Sequence, residues 1–250
     1  MTVVALIAVV GSPFPIDSGS SSGPAAAARA DPAWADLGGR PLVWHAVRRL
    51  REAGVDRVAL VVDAGQAEQA RSVAADPDFG DTVTVTVAAA RQSGMRGALA
   101  QSAGSSAPVV VLIHDPTRAF APVAMIRRVI DAARAGAVAV VPVLPVVDTI
   151  RSVGVDGRAS ALVDRDALRI VQSPQAFIGA VLYAAYERAD TPQDEAALLV
   201  AAGHPLTTVA GHADAARVLT AAELDTARRS LGPVPSGSPF PSRTPGQTRD

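Results

Sequence analysis

The chain contains a series of short apolar runs separated by longer segments of mixed polarity. Each run is rich in branched residues, which in Val83 to Val87 include two threonines. Continuous runs of this kind are typical of strands that are buried on both faces of a parallel sheet. The segments that we predict as strands are Val3 to Val10, Val58 to Val62, Val83 to Val87, Val109 to Ile113 and Ala137 to Val141.

Two of the intervening segments have the apolar spacing of an amphipathic helix. Pro41 to Gly54 places its apolar residues on one face and ends in arginines and a glycine, and Pro122 to Gly136 repeats this arrangement. Strands that alternate with helices predict a doubly wound α/β fold. In such folds ligands bind at the carboxyl ends of strands, which is where His114 and Asp115 fall.

Residues 142–172 depart from this alternation and predict a β-hairpin. Two partly alternating strands flank Asp156-Gly157, a dipeptide that favours a tight hairpin turn. A hairpin that projects from an α/β core buries little surface of its own. We therefore expect a partner subunit to cover it, and we expect a homodimer that forms through this β-arm.

Length and composition indicate one domain followed by a tail. The 250 residues, 49% of them hydrophobic, suffice for one substantial core, which we assign to residues 1–231. Residues 232–250 are rich in Pro, Ser and Gly without periodicity, and we expect them to be disordered. A second stretch without periodicity, residues 12–31, follows the first predicted strand, where a mononucleotide-binding fold carries its phosphate loop.

Charge and residue usage exclude several classes of partner and site. The formal net charge is −1, whereas nucleic acids and anionic membranes bind clustered positive charge, so neither is an expected partner. The absence of cysteine excludes disulfides, thiolate nucleophiles and cysteine-ligated metals. The N-terminal apolar run suits a strand better than a signal peptide, and no run approaches the ~18 residues of a membrane span. We expect a soluble, cytoplasmic protein.

Asp115 is the first candidate for a functional side chain. A carboxylate at a strand end can bind Mg²⁺, with phosphate oxygens of a substrate completing the shell, and Arg118 could face those phosphates. The alternative is that His114 and Asp115 only cap the following turn, and spacing alone does not decide between the two. A solvent-exposed position is the corresponding alternative for three further candidates, which are Thr149, Arg165 and Arg217.

Five segments carry a further signal when they are taken in order along the chain, namely LGGRPLVWHAVRRL, VLIHDPTRAF, VPVLPVVDTIRSV, VDRDALRIVQSPQAF and DEAALLVAAGHPL. As an ordered set they resemble motifs of one enzyme family, the 2-C-methyl-D-erythritol 4-phosphate cytidylyltransferases. VLIHDPTRAF is similar to the family's His-Asp-Ala-Ala-Arg motif, VPVLPVVDTIRSV to its Pro-Val-x-Asp-Thr-Ile-Lys arm, and VDRDALRIVQSPQAF to the segment ending in Gln-Thr-Pro-Gln-Gly-Phe. The resemblance covers nearly the whole chain, from the first strand to about Leu231.

The resemblance implies a reaction, a fold and residue roles. Enzymes of this family bind CTP and Mg²⁺ and transfer CMP to 2-C-methyl-D-erythritol 4-phosphate, a sugar-alcohol phosphate of non-mevalonate isoprenoid biosynthesis, with release of pyrophosphate. The implied fold is a three-layer Rossmann-like α/β nucleotidyltransferase sheet with a projecting β-arm that reaches the neighbouring subunit's site. By match, Asp115 would hold Mg²⁺ or the substrate, and Arg118, Thr149 and Arg165 would form the sugar-phosphate pocket. The implied catalytic residues are Asp115, Arg165 and Arg217, the last of which replaces a family lysine and keeps its charge with a different geometry.

The nucleotide end departs from the family pattern. The family has Pro-Ala-Ala-Gly-x-Gly-x-Arg after the first strand, whereas here Gly11 and Ser12 are the candidate nucleotide-binding residues, followed by prolines that lack an N–H. The family lysine of the next motif corresponds to Ala33, and all 23 basic residues of this chain are arginines. In ARQSGMRGAL, either Ser93 or Gly94 corresponds to the nucleotide-side serine, and we assign Ser93.

These departures leave three hypotheses open. If the family's lysine and arginine at the nucleotide end each stabilise the transition state by about 3 kcal/mol, the loss of both would lower the rate by a factor on the order of 10⁴. Arg29 or Arg40 could supply a replacement charge, although nothing in the sequence places them. The chain is then a divergent cytidylyltransferase, a catalytically silent homologue that binds a phosphosugar or a protein partner, or a nucleotidyltransferase with another NTP or acceptor.

Overall fold

A mixed β-sheet with helices on both faces forms the centre of the protein. The structure is a computed structural model, which describes residues 1–10, 31–103, 109–188 and 194–231. The strands are β1 (Thr2–Ala8), β2 (Asp36–Leu37), β3 (Arg40–Pro41), β4 (Arg57–Val62), β5 (Val83–Val87), β6 (Val109–His114), β7 (Ala139–Pro145), β8 (Arg151–Val153), β9 (Ala159–Leu162), β10 (Arg169–Val171), β11 (Gln175–Ile178) and β12 (Leu206–Ala210). The helices are α1 (Leu42–Glu52), α2 (Ala67–Ala74), α3 (Arg91–Ala103), α4 (Val123–Arg134), α5 (Gly179–Arg188), α6 (Glu195–Ala201) and α7 (Ala221–Leu231).

The main sheet contains eight strands in the order β10-β7-β11-β6-β1-β4-β5, with β12 paired to β7. Strands β6, β1, β4 and β5 are parallel neighbours, whereas β11 runs antiparallel between β6 and β7. The carboxyl ends of β1 and β6 therefore meet at the same edge of the sheet. Asp115 directly follows β6 at this edge.

Alternation along the strands divides the core into two layers. Val110 and Leu112 of β6 face one cluster, which helices α1, α2 and α4 complete, and Val109 and Val111 face a second cluster with α3, α5 and α6. Both faces of the sheet centre are thus covered, which is why its central strands β1, β4 and β6 are almost continuous apolar runs. The three-layer α/β class predicted from the sequence is confirmed.

The predicted elements correspond to observed ones, with differences at their ends. The five predicted strands are β1, β4, β5, β6 and β7, and the two predicted helices are α1 and α4. Strands β11 and β12 were not predicted, because each is short and β12 is largely exposed, so neither forms a continuous apolar run. The division into a domain of residues 1–231 and a tail stays a prediction, since residues 232–250 lie outside the described residues.

The predicted hairpin contains a small antiparallel ribbon. Strands β8 and β9 pair with each other and with no other strand among those described, and every residue in both is exposed. Gly157 adopts a φ of 75°, which supports the turn expected at Asp156-Gly157. The two ends of the predicted segment belong to the main sheet instead, because β10 pairs with the end of β7.

Within the described parts of the chain, the structure has no helix whose length and hydropathy would let it cross a bilayer.

Candidate active site

A cavity of about 490 Å³ opens at the carboxyl ends of β1 and β6. Its wall is formed by the end of β1, the β6–α4 connection, the segment between β10 and β11, and the first residues of α3 and α6. Cavities at this edge of an α/β sheet are the usual location of ligand sites. Three arginines line it, which are Arg91, Arg118 and Arg217.

Asp115 uses its two carboxylate oxygens for different purposes. Oδ1 accepts hydrogen bonds from the Thr117 backbone N–H at 2.9 Å and the Thr117 hydroxyl at 2.6 Å, so it caps the turn. Oδ2 accepts a hydrogen bond from Nε of Arg217 at 2.7 Å, across 102 residues of sequence. The turn-cap alternative thus describes Oδ1, whereas Oδ2 pairs with Arg217 and the role of Asp115 as a functional acid stays a prediction.

The surroundings of Asp115 favour its charged form. Burial alone would raise the pKa of this carboxyl, but hydrogen bonds from Thr117 and Arg217 and the charge of Arg217 outweigh it and lower the pKa below its usual range. The backbone N–H of Asp115 donates to the Ser173 hydroxyl at 3.0 Å, which fixes the end of β6 against the segment before β11. The carboxylate is therefore held in position and ionised at neutral pH.

His114, the last residue of β6, precedes Asp115 and is almost fully buried. Its Nδ1 lies 3.1 Å from the Ser173 hydroxyl, and its Nε2 has no hydrogen-bond partner among the described residues. Burial, opposed by the charge of Asp115 and reinforced by that of Arg118, lowers the pKa of His114 to about 4. The ring is therefore neutral at pH 7.

Arg118 lies in the wall of the cavity, but two carbonyl groups engage its guanidinium. Nη1 donates to the Ala215 carbonyl at 2.5 Å and Nη2 to the Val171 carbonyl at 3.3 Å, and the residue is almost fully buried. The sequence predicted a side chain that faces phosphate. The structure shows one that joins two backbone segments, and its substrate contact stays a prediction.

Thr149 and Arg165 lie away from this cavity. Both are exposed, Thr149 just before β8 and Arg165 in the turn after β9, where its Nη1 donates to the Val147 carbonyl at 2.5 Å. Neither is among the residues that line the cavity. Within one chain the structure does not bring them together with Asp115, which agrees with, but does not test, the expectation that the arm acts on a neighbouring subunit.

Of the predicted nucleotide-binding residues, only Ser93 lies among the described residues. Gly11 and Ser12 lie outside the described residues. Ser93 is exposed in the first turn of α3, where its hydroxyl donates to the Ala90 carbonyl at 3.0 Å, and it does not line the cavity. Gly94 packs against the sheet so closely that a Cβ there would lie 2.3 Å from Cγ1 of Val61.

The replacement cations considered from the sequence are not at the site either. Arg29 lies outside the described residues. Arg40 donates to the Asp76 carboxylate at 2.5 Å and lies over the Trp44 ring, 5.0 Å from its centroid. Ala33, which the sequence resemblance aligns with a family lysine, is fully buried. Among the described residues, the cations that line the cavity are the three arginines named above.

A buried ionic network at the edge of the cavity was missed by sequence reasoning. Oε2 of Glu195 accepts a hydrogen bond from Nη2 of Arg91 at 3.1 Å, and Oε1 accepts one from the Tyr186 hydroxyl at 2.6 Å. Nη2 of Arg91 also lies 2.8 Å from Oε1, so the two side chains form an ion pair. The sequence did predict Asp194-Glu195 at a helix start, and Asp194 caps α6 through the Ala196 N–H at 2.9 Å. It did not predict that Glu195 is buried, because its partner Arg91 lies 104 residues away.

Burial would lower the pKa of Arg91, but the Glu195 carboxylate raises it above its usual value, so the guanidinium stays charged. Burial and the same carboxylate raise the pKa of Tyr186, which stays protonated and donates. The network thus places one fixed cation at the end of the cavity that adjoins β1. The available signal was Arg91 itself, the second residue of the ARQSGMRGAL segment.

Comparisons with known proteins agree on one family. The family model for 2-C-methyl-D-erythritol 4-phosphate cytidylyltransferase matches residues 18–232. The enzyme of that name from Nocardia farcinica is 41% identical over 201 residues, covering 80% of this chain and 85% of its own, and that from Saccharopolyspora erythraea is 38% identical over 235 residues, covering 92% and 100%.

A solved structure supports the same assignment. The crystal structure of 2-C-methyl-D-erythritol 4-phosphate cytidylyltransferase from Thermus thermophilus superposes with a TM-score of 0.69 at 28% identity, covering 92% of this chain and 98% of that one. Sequence and fold therefore lead to one conclusion: this chain belongs to the 2-C-methyl-D-erythritol 4-phosphate cytidylyltransferase family.

Proposed function

We propose that this protein transfers CMP from CTP to 2-C-methyl-D-erythritol 4-phosphate and releases pyrophosphate, as a step of isoprenoid biosynthesis. Family membership supports the reaction, and the observation that carries it here is the contact between Asp115 and Arg217 in the cavity after β6. CTP is an intracellular nucleotide, so we place the reaction in the cytoplasm.

The reaction needs positioning and charge compensation more than covalent chemistry from the protein. A phosphate oxygen of the acceptor attacks the α-phosphorus of CTP, a new P–O bond forms, and the bond to the bridging oxygen of the leaving pyrophosphate breaks. Negative charge accumulates on the phosphoryl oxygens during this exchange. Arg217, held by Asp115 and about 40% exposed in its side chain, is the cation that we assign to these oxygens.

Mg²⁺ is the expected cofactor, and the residues present fit it in one specific way. No cluster of three His, Cys, Asp or Glu residues that could hold a metal occurs in the described ranges, so this part of the chain offers no complete cage. Mg²⁺ commonly binds one or two carboxylates and takes its other ligands from substrate phosphates and water. Asp115 would be that carboxylate, and the ion would neutralise phosphate charge.

We propose that the active form is a homodimer joined through the ribbon of β8 and β9. Apolar side chains stand exposed on the ribbon and the strands at its base, an arrangement that usually marks an interaction surface. A second copy is the occupant that we assign, because Thr149 and Arg165 would then lie where a neighbouring cavity can use them. The exposed apolar residues are Val147, Val153, Val155, Leu162 and Ile170.

The direct test is pyrophosphate release by the purified protein with CTP, Mg²⁺ and 2-C-methyl-D-erythritol 4-phosphate. Asp115→Asn removes the charge at the site, and Asp131→Asn, at an exposed position on α4, is the matched control. We expect release by the wild type and the control and its loss in Asp115→Asn. No release by folded wild-type protein would reject this reaction and leave a silent homologue or another NTP or acceptor.

A further inference from the structure

The loop between β12 and α7 carries Arg217, and three separate contacts hold it. The Gln172 side-chain amide pairs with the backbone of His212, Nη1 of Arg118 donates to the Ala215 carbonyl, and the Val218 N–H donates to the Thr117 carbonyl at 2.9 Å. The three contacts fall at His212, Ala215 and Val218, so they hold the loop on both sides of Arg217 along the chain.

The Gln172 contact is the most specific of the three. Its Nε2 donates to the His212 carbonyl at 2.8 Å, and its Oε1 accepts from the His212 N–H at 2.9 Å. A side-chain amide that makes both bonds fixes position and orientation together, as a strand pairing does. Gln172 is only 3% exposed and lines the cavity, although neither it nor its amide contacts are part of the proposed catalytic set.

The neighbouring glycine makes this contact possible. At Gly211, a Cβ would lie 2.3 Å from Oε1 of Gln172 and 3.0 Å from the Val143 carbonyl. The Gly211 N–H itself donates to the Val143 carbonyl at 2.8 Å. A side chain at position 211 would therefore displace the Gln172 amide from its contact with the loop.

Arg118 ties the same loop to the Gln172 segment. Because its guanidinium bonds both the Ala215 and the Val171 carbonyls, it joins the residue before Gln172 to the residue two before Arg217. Gln172 and Arg118 thus act on the loop from the same wall of the cavity. Arg217 reaches Asp115 from this fixed loop, at 2.7 Å.

We propose that Gln172 is a positioning residue for phosphoryl transfer, which acts through the loop to hold Arg217 against Asp115, with Arg118 as its second anchor. This inference rests on the proposed function, since it concerns the rate of that reaction. The physical basis is that misplacement of a charged group by about 1 Å can cost about 10²-fold in rate.

The kinetic test is a double-mutant cycle. Gln172→Met keeps the volume and removes the amide, and we expect it to lower kcat about 10- to 100-fold while the KM for CTP changes less than about threefold. In the background of Arg217→Ala, the same substitution should slow the enzyme less than about twofold, because the group that it positions is gone. An undiminished effect in that background would overturn the proposal.

A stability control separates positioning from general damage. Leu224→Ala removes a buried side chain of α7, outside the cavity wall, and we expect it to lower the melting temperature at least as much as Gln172→Met while kcat is retained. An equal loss of kcat in Leu224→Ala would also overturn the proposal.

Hydrogen exchange tests the loop contact without any turnover. In Gln172→Met, the amides of residues 212–218 should exchange at least about tenfold faster, with those of residues 221–229 unchanged. Unchanged exchange at residues 212–218 would overturn the proposal that Gln172 holds this loop. If the wild type releases no pyrophosphate but exchange rises as stated, the proposed function fails and the loop contact stands.

Discussion

At the scale of single residues, the proposed site has Arg217 at the position where the sequence resemblance implies a family lysine. Arg217 reaches Asp115 through Nε, so the guanidinium plane is fixed on one edge by the carboxylate. A guanidinium has a rigid fork of donors, whereas an ammonium is a compact point charge on a flexible stem. The loop geometry around Arg217 is therefore expected to suit arginine.

Arg217→Ala should lower kcat/KM about 10²- to 10³-fold, because one preorganised cation is lost from the developing phosphoryl charge. Arg217→Lys keeps the charge and loses the fork, so we expect a smaller loss of about tenfold. Steady-state kinetics with CTP and the acceptor varied in turn measures both. Equal defects in the two variants would show that charge is not what Arg217 contributes.

The Arg217 variants also change the titration of Asp115. The hydrogen bond and charge of Arg217 are among the causes that lower the pKa of Asp115, so Arg217→Ala should raise it. The acidic limb of the pH–rate profile then moves to higher pH in Arg217→Ala, since the carboxylate protonates earlier as pH falls. An unmoved limb would mean that Asp115 does not set it.

At the scale of elements, the Arg91, Glu195 and Tyr186 network joins the start of α3 to α5 and α6. Each of the three side chains comes from a different helix, and Glu195 and Tyr186 are buried. A buried ion pair of this kind changes the free energy of unfolding little when both partners are present. Removal of one partner is strongly destabilising, because it leaves an uncompensated buried charge. We therefore expect a large loss of stability when a single member of this network is removed.

Glu195→Ala should lower the free energy of unfolding by about 3 kcal/mol, because it leaves the partly buried Arg91 without its counter-charge. The matched control is Glu187→Ala, which breaks an exposed pair with Arg96 between the same α3 and α5, and should cost less than about 1 kcal/mol. Urea denaturation of both variants measures the difference. Similar values would mean that burial does not distinguish the pairs.

Helix α3 offers a second comparison within one element. Gly94→Ala should destabilise the protein by about 1–2 kcal/mol, because the added methyl would lie 2.3 Å from Cγ1 of Val61 and 2.8 Å from Cβ of Ala88. At Gly97 a Cβ meets nothing within 4 Å, so Gly97→Ala should stabilise by about 0.5–1 kcal/mol through helix propensity. Melting curves that move in the same direction for both would contradict this account of the packing.

At the scale of the whole molecule, the cavity and the predicted arm residues are separated within one chain. Asp115 and Arg217 lie at the edge of the sheet, while Thr149 and Arg165 lie on the exposed segment around β8 and β9. If the proposed homodimer forms, each site combines residues of two chains. This arrangement can be tested by complementation.

Asp115→Asn and Arg165→Ala should each be nearly inactive alone, but a refolded equal mixture should recover about a quarter of wild-type activity. Half of the dimers are then mixed, and one of the two sites in a mixed dimer has both intact residues. No recovery, although mixed dimers are present by mass, would place Arg165 in its own chain's site.

The sequence by itself determined the strands, the α/β class and the acidic position after β6, because each follows from local patterns of apolar residues and chain order. It also indicated the hairpin, whose turn dipeptide is local. It did not determine that carbonyl groups engage Arg118, that Glu195 is buried, or that Gln172 holds the Arg217 loop. Those contacts join residues 40–104 positions apart, and only tertiary structure decides which distant side chains meet.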